Sequence, residues 1–206
     1  MDYQAAYEQL KGLGITLNAG VDLRDVVCSD ADNFAATLDA GITVMMTPHD
    51  AALSGSALVK DLLFAMGLED WTTQARFSDS VTYVDFESIA MNGAYVALFE
   101  QLSTLVAGGF PARAIEDHVP IPEGGEPWID VDVKGDVRRW SLELDFDWAD
   151  PAFFHRFADL VAELSSSGAL WSFNDGQSVL FFVADSARAE RLSALVEMKA
   201  QEWGTS

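Results

Sequence analysis

Five carboxylates carry most of the chemistry this sequence could do. Asp130 and Asp132 stand in WIDVDV, and Glu143, Asp145 and Asp147 in ELDFDW, with Trp148 closing the run. Alternating oxygen ligands suit a calcium loop, which also needs a glycine at its sixth position and a glutamate at its twelfth. Counted from Asp145 those positions hold Asp150 and Arg156, and Pro151 opens a helix, so no metal is expected. Paired carboxylates suit glycoside hydrolysis, but one of the pair must have a raised pKa beside a sugar cleft. Carboxylates on an open sheet face lack that environment, so no catalytic residue is assigned. A third use is a protein-binding surface, with Asp130, Asp132, Glu143, Asp145 and Asp147 as a negative patch and Trp148 and Trp128 as anchors. Aromatics are common hot spots, and charge complementarity speeds and selects the partner. The plainest reading is the solvated face of a sheet.

The remaining candidates are weaker. His49, His118 and His155 are far apart in sequence and form no HxH or HxxxH pair, so zinc is not expected. His49 precedes Asp50 in TPHD, an order that a base oriented by a carboxylate shares with many turns. Gly12-Leu13-Gly14 follows a helical pattern and has Leu17 where a dinucleotide loop needs its third glycine. Cys28 has no adjacent basic residue to make it reactive. No cofactor is expected.

The carboxylates must be positioned by a hairpin of Trp128–Val133 with Val137–Phe146. A turn centred on Gly135-Asp136 sets Val131 opposite Trp140, Ile129 opposite Leu142 and Asp132 opposite Arg139, with Leu144 and Phe146 continuing the apolar side. A turn centred on Lys134-Gly135 sets Val131 against Arg138 and reads as the poorer register. Arg138 falls on the apolar side, where its stem can lie along the core while the charge reaches water. Asp150 is then the N-cap of a helix from Pro151 to Leu164.

Helices are also expected over Asp2–Lys11, Asp22–Cys28, Asp30–Asp39, Ser54–Met66, Asn92–Ala107 and from Asp185 to about Gln201. Strands are expected over Ile42–Thr47, Ala75–Ser78, Val81–Glu87, Ala114–Val119, Ala169–Asn174 and Gln177–Val183, the last two joined at Asp175-Gly176. Leu180, Phe181 and Phe182 are apolar on both faces, which places their strand inside a sheet. The strand–strand–helix order occurs three times, over 75–107, 128–164 and 169–201. The expected fold is therefore α+β: a mostly antiparallel sheet with helices on one face, after a helical N-terminal part. The 206 residues suit a single domain, mainly helical over 1–70 and sheet-containing over 71–206.

Charge narrows the partners. There are 33 acidic and 12 basic residues, for a formal net charge of -21. Residues 1–109 hold 15 acids and 4 bases and residues 110–206 hold 18 and 8, so the acidity is spread through the body. Such a chain repels nucleic acid and anionic membranes and attracts basic proteins. One cysteine permits no intrachain disulfide and suits a reducing cytoplasm. The opening MDYQAAYEQLKG has neither the basic nor the apolar region of a secretory signal.

VTYVDFESIAMNGAYVALFEQLSTLVAGG, EDHVPI, DFDWADP and DGQSVLFF together resemble a pattern in acidic bacterial proteins without an assigned activity. The likeness covers roughly Val81 to Leu195, and Asp147-Trp148-Ala149-Asp150-Pro151 is its most distinctive element. In size and acidity such proteins are similar to the immunity proteins that neutralise bacterial toxins. The resemblance implies a binding role and supplies no catalytic residues. The expected function is an acidic protein-binding module, an immunity-type inhibitor of a basic protein partner. The alternatives are an enzyme using carboxylates or His49, and a DNA mimic with carboxylates ranged like phosphates.

Overall fold

The structure, a computed structural model, describes residues 2–27, 55–70, 72–120, 125–143, 145–174 and 178–204. The expected helix at 30–39 and strand at 42–47, with Cys28, His49, Gln177 and the Asp175-Gly176 turn, lie outside those residues. Contacts divide the chain into two compact units, one of residues 1–82 with 190–199 and one of residues 83–189 with 200–206.

In the first unit, helix α1 (Tyr3–Gly12) is opened by Asp2, whose carboxylate accepts from the Ala5 amide. Helix α2 (Ser56–Met66) buries Leu58, Leu62, Leu63 and Met66. The expected hairpin of 75–78 with 81–87 does not form. Arg76 bridges Glu69 instead. The Ser78 hydroxyl donates to the Thr16 carbonyl, and the Asp79 amide donates to Asn18 Oδ1. Polar side chains thus hold 78–80 as a turn against 16–18, an alternative to ladder pairing that serine and asparagine readily offer.

Among its described residues the second unit contains two sheets rather than one. Strands β1 (Thr82–Asp85), β5 (Ala169–Asn174), β6 (Ser178–Ala184) and β7 (Gln201–Trp203) form the first, in the order β1-β6-β5-β7. Strands β2 (Ala112–His118), β3 (Trp128–Val133) and β4 (Asp136–Ser141) form the second, in the order β2-β3-β4. The fold is α+β, and the β2–β3, β3–β4, β5–β6 and β5–β7 pairings are antiparallel. Strand β6 is internal to its sheet, as its unbroken apolar run requires. Helix α5 (Ser186–Val196) ends before the expected Gln201, because Glu197 turns left-handed at φ 53° and the chain goes on into β7.

Helix α4 (Pro151–Leu164) supplies the common core of the two sheets. Asp150 caps it by accepting from the Ala152 amide. Phe154 stacks on Phe181 of β6 at 5.0 Å and packs on Trp203 of β7 at 5.4 Å. Phe153 meets Trp140 of β4 at 5.9 Å, and Phe157 meets Phe99 at 5.1 Å. All three phenylalanines are fully buried, each contributing about 1.5–3 kcal/mol. Phe99 lies on helix α3 (Ala94–Ser103), whose first turn has no side-chain cap of its own. Asp117 of β2 supplies one, accepting from the amides of Gly93, Tyr95 and Val96 at 2.5, 2.8 and 3.1 Å.

Candidate functional site

The register of β3 with β4 decides where the carboxylates go, and it is the one that sequence reasoning set aside. Val133 pairs with Asp136, so the turn is Lys134-Gly135. Both residues have positive φ, 55° and 93°, the requirement of the two-residue turn whose twist matches a hairpin. The Gly135 amide donates to Asp132 Oδ1 at 2.6 Å and holds the turn. The slip from the expected pairing is two residues, so each side chain keeps its face but changes its partner. Trp140 sits inside, opposite Ile129. Asp132 does not face Arg139; Asp130 does. Arg138 on the inner side reaches out to Glu163 of α4 with two hydrogen bonds of 3.0 and 3.2 Å.

On the outer face the two strand carboxylates are neutralised. Arg139 grips Asp130 through Nε at 2.7 Å and Nη2 at 2.6 Å, and its guanidinium lies 3.7 Å from the Trp128 ring centre. His118 packs against Trp128 at 5.9 Å. Arg113 pairs with Asp132 at 3.2 Å. The Arg139 hydrogen bonds hold the Asp130 carboxyl below the usual carboxylate range, and those of Arg138 do the same for Glu163. Both displacements run opposite to that of a general acid. Asp130 is only 9% exposed. Arginines thus alternate with the carboxylates on this face.

Glu143, Asp145, Asp147 and Trp148 are placed differently. Strand β4 ends at Ser141, not at Phe146 as its alternation suggests. Glu143 donates its amide to Asp150 Oδ2 at 2.7 Å, and the chain reverses over 145–148, where the Trp148 amide donates to the Asp145 carbonyl. The turn is fastened behind by Ile89 N–H to the Asp147 carbonyl at 2.9 Å and Ala149 N–H to the Phe86 carbonyl at 2.7 Å. Phe146, expected on the buried side, is 84% exposed with φ at 57°. Trp148 is 36% exposed. Among the described residues, Glu143, Asp145 and Asp147 form no ion pair. The candidate residues therefore fall into two groups: an arginine-paired stripe on β3, and a loop of free carboxylates around two outward aromatics. Phe146 is the member that sequence reasoning missed. Its signal was faint: a phenylalanine between two aspartates at the point where strand alternation gives way to a helix cap.

Behind the loop lies a polar knot. The Asp150 amide donates to the buried Tyr95 hydroxyl at 3.0 Å, and burial pushes that phenol up to about 12. It stays protonated and structural. An open groove of about 490 Å³ lies beside the loop, lined by Gly125, Glu126, Pro127, Ser141, Leu142 and Glu143. Among the described residues no three His, Cys, Asp or Glu side chains gather to hold a metal ion, and no helix is long and apolar enough to cross a membrane. No family model matches the chain, and neither does any curated protein or solved structure.

Proposed function

We propose that the chain is an acidic binding module for a basic protein, of the immunity type, acting by steric and electrostatic blockade through the loop Glu143–Trp148. One observation carries the reading: Phe146 is 84% exposed and holds a left-handed φ of 57°. That conformation costs a residue with a side chain roughly 1–2 kcal/mol, more than the little of the ring that is hidden returns on folding. Sparsely populated backbone conformations cluster at binding and switch positions. Glu143, Asp145 and Asp147 around it, unpaired among the described residues, favour a basic contact. The even spread of a net charge of -21 supports long-range attraction of the same partner. The likeness of the Asp147–Pro151 element to acidic bacterial proteins points the same way.

The test is capture from lysate by the immobilised chain, set beside a Phe146→Gly variant and a variant neutralised at Glu143, Asp145 and Asp147. The captured partner should be basic, lost from both variants, and bound more weakly as salt rises. Equal capture by the variants, or an affinity indifferent to salt, overturns the proposal.

A further inference from the structure

Among the described residues, the hairpin leaves one side of β4 without a strand. Across a two-residue turn the closing pair, here Val133 with Asp136, exchanges hydrogen bonds, and so does every second pair beyond it. Asp136, Arg138 and Trp140 therefore bond inward to β3. The ladder continues in phase, because the Leu142 amide donates to the Pro127 carbonyl at 2.9 Å. Val137, Arg139 and Ser141 must then aim their N–H and C=O groups away from β3. At the next outward position the Glu143 amide is taken by the Asp150 carboxylate. Strand β4 is outermost in its sheet, and among the described residues the outward backbone groups of Val137, Arg139 and Ser141 have no backbone partner.

Proteins usually guard such an edge with charged side chains. Here the two arginines of the strand are drawn away from it. Arg139 is pulled back over the sheet onto Asp130 and Trp128, and Arg138 is tied to Glu163. Val137, on the edge itself, is 56% exposed. The edge runs at Ser141 into the groove between Glu126 and Glu143, and from there to the acidic loop.

We infer that β4 is a docking edge: an extended, lysine- or arginine-bearing segment of the partner adds to it as a fourth strand. Backbone hydrogen bonds to Val137, Arg139 and Ser141 hold the segment, and a basic side chain lies in the groove between Glu126 and Glu143. The occupant is set by charge complementarity, since the groove carries two carboxylates and the chain is strongly negative. The inference rests on the reading of the chain as a binder of a basic protein, and it adds the form in which that partner is gripped.

The probe is an eight-residue peptide alternating lysine and valine. Its counterparts alternate glutamate and valine, or carry a central proline. At millimolar lysine–valine peptide, amide hydrogen exchange should slow at least tenfold at Val137, Arg139 and Ser141 and stay unchanged at Arg138 and Trp140. The glutamate and proline peptides should leave all five amides unchanged. Val137→Pro removes one outward donor and no inward bond, a position where an edge strand tolerates proline. It should bind the peptide at least tenfold more weakly. Unslowed exchange at the three outward amides overturns the inference, as does unchanged binding by Val137→Pro. Should that variant fail to fold, the exchange pattern of the parent chain decides alone. Edge protection together with undiminished partner capture by Phe146→Gly would sink the loop reading and leave the edge standing. Lost capture by Phe146→Gly without edge protection would sink the edge and leave the loop.

Discussion

Replacing Phe146 by glycine should separate folding from binding. The ring is 84% exposed, so folding hides about one sixth of it. Of the roughly 200 Å² that a phenylalanine can bury, this is about 30 Å², or about 0.8 kcal/mol. Against that loss, glycine relieves a left-handed φ of 57°, which costs residues with side chains roughly 1–2 kcal/mol. Glycine's broader unfolded ensemble takes back about 0.4–1 kcal/mol. The net change in unfolding free energy should therefore stay within about 1 kcal/mol, and the melting temperature should move by no more than about 4 °C. Urea unfolding followed by tryptophan fluorescence reads the first quantity and calorimetry the second. Partner affinity should fall by about 2 kcal/mol or more, near 30-fold, as for an aromatic hot spot. A loss of stability above about 2 kcal/mol would refute the reasoning, because Phe146 would then be core. Unchanged affinity would refute its role in binding.

Three further outcomes test the frame that holds the loop. Asp117→Ala strips the cap from the Gly93, Tyr95 and Val96 amides and should cost about 2 kcal/mol in urea unfolding, with faster exchange in the first turn of α3; Asp117→Asn should recover part of the loss. Gly168→Ala would drive its new methyl group into the Ala184 carbonyl at a φ of 123°, so it should cost more than about 4 kcal/mol and shift the urea midpoint accordingly. The Asp130 carboxyl lies below its usual value because Arg139 hydrogen-bonds it. Its contribution is present above the unfolded-state value near 4 and is lost as pH falls through the folded value. Carboxyl NMR titration should therefore show Asp130 moving upward in Arg139→Ala, and that variant should lose stability at neutral pH.

The candidate site was legible in parts. The alternation of WIDVDV with DVRRWS correctly divided a wet face from a dry one and put Trp140 inside, because a two-residue slip preserves faces. The cross-strand partners were not legible. Arg139 could match Asp130 or Asp132 equally well by charge, and the choice fell to backbone conformation at Lys134-Gly135. Lysine is an uncommon residue at positive φ, so the observed turn carried the weaker local signal. Phe146 was misplaced because period-two alternation continues past Ser141 in sequence. The strand stops there because Asp150 takes the Glu143 amide and the 86–89 segment takes the loop behind it.

The α+β class, the Asp150 helix cap and the internal position of β6 followed from the sequence alone, because each depends on periodicity or on one short-range bond. The division into two sheets, the seating of β7, the neutralisation of Asp132, and the exposure of Phe146 were decided by tertiary structure. Each depends on partners distant in sequence: Arg113 for Asp132, Glu163 for Arg138, Trp203 for Ser172, and Ile89 for Asp147. Local propensity is blind to such pairs, since their free energy exists only after the chain has closed the loops between them.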